Sequence, residues 1–259
     1  MRCASPPAAV PHAPMTATAA APVFQPLWRQ IRTLIVSDIE AAAWKPGEAI
    51  PSELELAARF GVSQGTVRRA IDALADENLV VRRQGKGTFV ATHTEERASN
   101  FRFLRVRRND GQAEYPGNRL IDLRRAKANA EIARRLGIRV GDGVFVLRRV
   151  LDLAGQPTVL DDITLPAVLF SGLTRARYAA YPGSMYGFFE QVFGVRMLRA
   201  EERLTAVAAD AASAELLDVE PGAPLLAVDR VSFTYGDRPV EVRRGLCATR
   251  HAHYWNTLT

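Results

Sequence analysis

The sequence predicts an α+β protein of two units, three helices closed by a basic hairpin and then a larger unit built on an antiparallel sheet. Three observations carry this. Apolar residues recur at helical spacing in three successive stretches between Pro26 and Glu77. Two short apolar runs then flank Gln84-Gly85-Lys86-Gly87, whose two glycines allow a tight hairpin tip. From Phe101 onward strand-like alternation takes over, broken by short helices. A chain of 259 residues exceeds the usual single-domain size, and its 47% hydrophobic and 24% charged content suits a globular protein able to bury real cores.

In the first unit, "QPLWRQIRTLIVSDIEAAAWKPGEAI" opens a helix near Pro26, with Leu27, Ile31, Leu34 and Ile35 as its apolar stripe. Trp44-Lys45-Pro46-Gly47 should end it. In "PSELELAARFGVS", Ser52 and Glu55 have capping-box spacing, Leu56, Ala57 and Phe60 form the buried side, and Gly61 is the stop. Ser63 caps a third helix running to about Glu77, docked by Val67, Ala70, Ile71 and Leu74. Helix, short turn, helix and basic hairpin in this order make a winged helix-turn-helix over residues 23–92.

In such a motif the leading end of the second helix of the pair enters the major groove of DNA. Ser63, Gln64, Gly65, Thr66 and Arg68 then face the duplex. Gln64 suits an adenine edge, Gly65 lets the backbone approach, and Arg68 with the helix-start N–H groups suits phosphates. The net charge of +6 and pI near 9.7 favour a polyanionic partner. Residues 23–92 hold nine basic and eight acidic residues, but Arg68, Arg69, Arg82, Arg83 and Lys86 cluster on the third helix and hairpin. The plain alternative is a solvated helix face.

"PSELELAARFGVSQGTVRRAIDALADENLVVRRQGKGTFVA" resembles the DNA-binding domain of GntR-type bacterial transcriptional regulators. The resemblance implies a homodimer on a palindromic double-stranded DNA operator, with the wing tip in the minor groove. It marks Ser52, Glu53, Ser63, Thr66, Arg68, Gln84, Gly85, Lys86 and Gly87 as contact positions. Two positions depart from the family pattern, which often has Arg where this chain has Leu54 and Gln64. Arg commonly reads guanine, so a different operator is expected.

Residues 93–100 read as a polar linker and 101–259 as the second unit. "FRFLRVRR" reads as a strand with one basic face and "NAEIARRLGI" as a helix. A hairpin turns at Ala154-Gly155-Gln156, "SMYGFFEQVFG" and "DAASAELLDV" are helices, and a second hairpin turns at Gly236-Asp237. "LGIRVGDGVFVLRRV" aligns without gaps on "LDVEPGAPLLAVDRV", pairing Leu136 with Leu217, Gly141 with Gly222, and Arg149 with Arg230. This suggests pseudo-twofold halves around one antiparallel sheet.

The phrases "LRRV…GQPTVLDDITLP", "GSMYGFFEQVFGVR" and "AVAADAASAELLDVEPGAPLLAVDRVSFTYGDRPVEVRR" resemble the UTRA effector domain of the HutC subfamily. That implies a chorismate-lyase-like fold that binds a small metabolite and loosens the grip on DNA, most often as a repressor. The matching pocket positions are Arg149, Asp161, Ser184, Tyr186, Glu241 and Arg244. Their chemistry fits an anion. Arg149 can fork onto a carboxylate or phosphate, and Ser184 opens a helix whose N–H groups attract negative charge. Asp161 and Glu241 can accept hydrogen bonds, and Tyr186 offers a ring with a polar tip. Sugar-phosphate-binding members have Arg at Leu151 and Tyr at Cys247, so a carboxylate such as urocanate is at least as good an expectation. For each residue the plain alternative is an ordinary ion pair, Arg149 with Asp161 for instance.

Cys247, His251 and His253 invite a nucleophile–base or metal reading, but they lack a third orienting group or ligand. Asp161 and Asp162 are neighbours on a strand and point to opposite faces. The expectation is therefore a regulator rather than an enzyme, with no catalytic residue, cofactor or metal. A chorismate-lyase-like enzyme and a ligand-independent DNA-binding protein are the alternatives. Residues 1–22, mostly Ala and Pro, read as a disordered tail, with Met15 an alternative start. No stretch suits a signal peptide or a membrane span, and the two cysteines, Cys3 and Cys247, form no framework, which fits the cytoplasm.

Overall fold

The computed structural model describes residues 25–92, 104–112 and 115–256. The tail with Met15 and Cys3, the linker 93–100 and residues 101–103 lie outside the described residues.

Helices α1 (Leu27–Glu40), α2 (Glu53–Phe60) and α3 (Gln64–Asp76) are followed by the hairpin β1 (Val80–Arg83) and β2 (Gly87–Val90). The capping box at Ser52 forms in full, with Glu55 N–H on Ser52 Oγ and Ser52 N–H on Glu55 Oε2. Gly61 ends α2 at φ 64°, a left-handed conformation that costs glycine nothing. Helix α1 stops at Glu40, short of Trp44, and Ala42 turns the chain at φ 57°. Its buried face is Ile31, Ile35 and Ile39, whereas Leu27 and Leu34 are about half exposed on its flanks. Those isoleucines, Leu56 of α2, and Val67, Ala70, Ile71 and Leu74 of α3 share one core with Leu79, Val80 and Val90. Each large member contributes roughly 1.5–3 kcal/mol by leaving water.

The second unit is a six-stranded, wholly antiparallel sheet. Its strands are β4 (Gly117–Lys127), β5 (Gly143–Leu153), β6 (Gln156–Pro166), β7 (Arg199–Ala208), β8 (Pro224–Phe233) and β9 (Pro239–Ala248), in the order β4-β5-β6-β9-β8-β7. A short strand β3 (Val106–Arg108) pairs with β10 (Ala252–Tyr254), a smaller remnant of the strand expected from "FRFLRVRR". The helices are α4 (Ala130–Leu136), α5 (Arg175–Ala179), α6 (Met185–Phe193) and α7 (Ala211–Leu217).

The order is that of two matched halves, β4-α4-β5-β6 and β7-α7-β8-β9, joined through β6 and β9. The match extends to single hydrogen bonds. Gly141 N–H bonds Ala128 O, and Gly222 N–H bonds Ala209 O; both glycines lie at φ 85° and both bonds measure 2.8 Å. Ile138 N–H bonds Ala133 O, and Val219 N–H bonds Ala214 O. On one face, α6 and α5 bury Phe170, Phe188, Phe189 and Met197 against Leu147, Ile163 and Leu165. On the other, α7 packs on Val150, Leu160 and Leu225, and α4 on Val144 and Val242.

Candidate functional site

Two places gather polar side chains. The first is an open groove of about 630 Å³ between the leading ends of α2 and α3 and the hairpin β1–β2. Ser52, Glu53, Leu54, Gln64 and Gln84 to Gly87 line it, whereas Ser63, Gly65, Thr66 and Arg68 lie outside its lining. Ser63 caps α3, accepting from Thr66 N–H at 3.2 Å, with the two hydroxyls 2.9 Å apart. Gly65 is exposed and Thr66 half-buried. Glu53 lines the groove with its carboxylate engaged by neighbours. It accepts from Gln64 Nε2 at 3.3 Å, Arg68 Nε at 2.9 Å and Arg82 Nη2 at 3.2 Å. A carboxylate facing DNA phosphates would repel them, and here three donors hold it. Arg82 also meets Asp72 at 2.7 Å, while Arg69 stacks over Trp28 of α1.

The second place lies on the sheet face under α6. Period-2 alternation puts Arg149, Asp161, Glu241, Arg243, Arg230 and Ser232 on that face, and all six are buried. Arg149 forks onto Asp161 at 2.9 and 3.0 Å and reaches Tyr178 Oη at 3.4 Å. Arg243 reaches Asp161 at 3.4 Å, Glu241 at 3.1 Å and Tyr186 Oη at 3.1 Å. Tyr186 donates to Glu241 at 2.9 Å and accepts from Arg230 Nη1 at 3.3 Å. Arg230 Nε bonds Glu202 at 2.6 Å. Gly245 makes room for Asp161, since a Cβ there would stand 3.1 Å from Asp161 Oδ1.

Burial opposes charge throughout this cluster, and pairing outweighs it. Desolvation works against the Asp161 carboxylate, yet Arg243 and Arg149 hold it below the usual range. Burial likewise opposes the Arg243 cation, but Asp161 and Glu241 raise it well above its ordinary value. Burial pushes the Tyr186 phenol up, so it stays a neutral donor. Arg243 Nε is buried with no hydrogen-bond partner among the described residues. Beside the network a narrow cleft of about 30 Å³, open in part to solvent, runs between Leu151, Val159, Val228 and Cys247 on the sheet and Leu104 to Val106 with Tyr254 above.

Of the expected effector residues, Arg149, Asp161, Tyr186 and Glu241 come together. Arg244 does not. It is exposed on the opposite face, across from Asp162, because strand neighbours alternate; Arg243 is the member that points inward. Ser184 caps α6, its oxygen accepting from Gly187 N–H at 3.0 Å, which occupies one donor of the expected anion site. Sequence reasoning missed Arg230, Arg243, Glu202 and Tyr178. The internal alignment of Arg149 with Arg230 already signalled the first, and period 2 from Glu241 the second.

Cys247 is buried and its thiol is pushed up to about 12, so no thiolate is available at neutral pH. His253 Nδ1 lies 3.0 Å from Asn109 Oδ1. Among the described residues no group of His, Cys, Asp and Glu is arranged to hold a metal, and no helix is long and apolar enough to cross a membrane.

Comparison with known proteins places both regions. Residues 27–90 match the bacterial regulatory proteins of the gntR family and residues 111–253 match the UTRA domain. A relative from Escherichia coli (strain K12), named for repression of the fructoselysine utilization operon, is 29% identical over 86% of this chain and 90% of its own. The histidine utilization repressor of Pseudomonas aeruginosa is 29% identical over 81% and 82%. The ligand-binding domain of a GntR-family regulator from Bordetella bronchiseptica is 50% identical, with TM-score 0.59, covering 62% of this chain and 99% of that one. These matches span both units, and the chain belongs to the GntR family of bacterial transcriptional regulators, with a UTRA domain as its second unit.

Proposed function

We propose that the chain is a ligand-responsive repressor that binds a palindromic operator as a homodimer and leaves it when a small anionic metabolite enters the second unit. The observation that carries this is the pairing of an open groove, edged by Gln64, Arg82 and Lys86, with a separate buried cluster of three arginines. Helix α3 offers its leading end to the major groove, and the hairpin tip reaches the adjacent minor groove. Ser52, Ser63, Thr66, Arg68 and Gln84 to Gly87 take backbone and base contacts, and Glu53 organises them.

An anion fits the second cluster because the buried Arg243 Nε lacks an acceptor. Each arginine there already faces a carboxylate, so the ligand competes with Asp161 or Glu241 rather than filling an empty positive pocket. Leu151 and Cys247 give the cleft apolar walls, which suits a carboxylate with little polar surface better than a phosphorylated sugar. The effector selects the conformer whose two DNA-binding units are wrongly spaced for the half-sites.

Electrophoretic mobility shift on the DNA upstream of the chain's own gene, with and without metabolite pools, tests the reading. A shift reversed by a small molecule supports it. An unresponsive shift points to a ligand-independent DNA-binding protein, and turnover of a metabolite without a shift points to an enzyme.

A further inference from the structure

We propose that the operator half-site is read in the major groove as adenine by Gln64 and as an adjacent thymine methyl by Leu54, not as guanine. This rests on the DNA-binding reading above.

Gln64 and Leu54 stand at the first turns of α3 and α2, and both line the groove. The Gln64 amide has its orientation fixed by chemistry. Glu53 Oε2, 3.3 Å from Gln64 Nε2, can only accept, so it selects the NH₂ end of the amide. The amide oxygen and the second N–H then point away from Glu53. That pair of groups complements adenine, whose N6 donates and N7 accepts. Guanine presents acceptors at both O6 and N7 and would set O6 against the amide oxygen.

Leu54 is 69% exposed, the most exposed large apolar side chain of the first unit. An apolar group in this place has one favourable partner on a base edge, the thymine C5-methyl. The arginines nearest the leading turn are each engaged, and Lys86 sits at the hairpin tip on the far side of the groove. Arg68 Nε and Arg82 Nη2 both bond Glu53, and Arg83 stacks over Phe89 at 4.4 Å.

The test is selection of bound sequences from randomised duplexes with the full-length chain, wild type, Gln64→Arg, Leu54→Ala and Glu53→Gln. The wild type should enrich two half-sites with an invariant adenine. Gln64→Arg should replace that adenine by guanine and weaken binding to the wild-type site about tenfold. Leu54→Ala should relax only the thymine position. Glu53→Gln frees the amide to flip and should broaden the adenine position, which a merely structural role would leave unchanged. Guanine in the wild-type selection, or an unchanged selection with Gln64→Arg, would overturn the inference while leaving the regulator reading in place. Absence of any enriched sequence would overturn both. Leu54 and Gln64 are exposed, so these substitutions leave the core intact, which thermal melts verify.

Discussion

Arg68 is held at 2.9 Å by Glu53 but remains 57% exposed, so it can turn its terminal nitrogens to a phosphate without leaving its tether. Arg68→Ala should weaken operator binding uniformly across sequences. It should also reduce by about one the slope of log affinity against log salt, since one counterion fewer is released. A titration at several salt concentrations reads this. Arg149 is the opposite case. It is buried against Asp161, and removing it leaves that carboxylate with Arg243 at 3.4 Å as its nearer support. Arg149→Ala should destabilise the sheet unit by roughly 3–5 kcal/mol. Thermal denaturation checks this, and an unchanged melting temperature would contradict the burial argument. The pH dependence follows from Asp161. Its carboxyl is lowered in the folded chain, so its contribution is fully present above the unfolded value near 4 and is lost as pH falls below that.

At the scale of elements, Ser184 decides how α6 is presented. Its oxygen caps Gly187 N–H, and the helix it starts carries Tyr186 into the arginine network. Ser184→Ala should cost about 1 kcal/mol of stability. A thermal melt without ligand shows this loss, and a much larger effect would mean that the hydroxyl does more than cap. Elements with local signatures were legible in the sequence. The capping box at Ser52, the cap at Ser63 and the stop at Gly61 are short-range chemistry, and the apolar spacing of α3 named its buried residues. Strands β4 and β7 were not legible. They are the two edges of the sheet, and their exposed runs, such as Arg203 to Ala206 within "RAEERLTAVA", lack the apolar alternation of a half-buried strand. The candidate site divides the same way. Arg149, Asp161, Tyr186 and Glu241 carried a family pattern, whereas Arg243 and Glu202 belong to the network through strand register. Choosing Arg244 over Arg243 is the one-residue error that a period of 2 turns into the wrong face.

At the scale of the molecule, the two units meet through α6 and the segment after it. Arg196 lies 3.3 Å from Glu190 near the end of α6 and donates to Tyr235 Oη at 3.3 Å. It also donates to the backbone oxygen of Asn78, just past the end of α3, at 3.3 Å. Thr92 Oγ1, at the end of the first unit, bonds Glu190 Oε2 at 2.7 Å. Leu198 and Tyr235 pack against the core of the first unit. Helix α6 therefore carries Tyr186 in the buried arginine network at one end and Glu190, which holds both Arg196 and Thr92, one turn further on. On the proposed reading, a ligand that displaces Asp161 or Glu241 would shift Tyr186, and α6 would pass that shift to Glu190, which holds Thr92 and Arg196. Arg196→Ala cuts the bond to Asn78 without touching either the groove or the arginine cluster, but it also leaves the buried Glu190 carboxylate without its arginine, so a thermal melt first sets a temperature at which the variant is folded. The expected outcome is operator affinity close to wild type in the absence of effector and a several-fold weaker release by effector, the size of a coupling of about 1 kcal/mol. Mobility shifts titrated with the inducing metabolite measure both quantities on the same samples. Full release with the variant would mean that the signal reaches the DNA-binding unit by another route, such as the chain between Thr92 and β3.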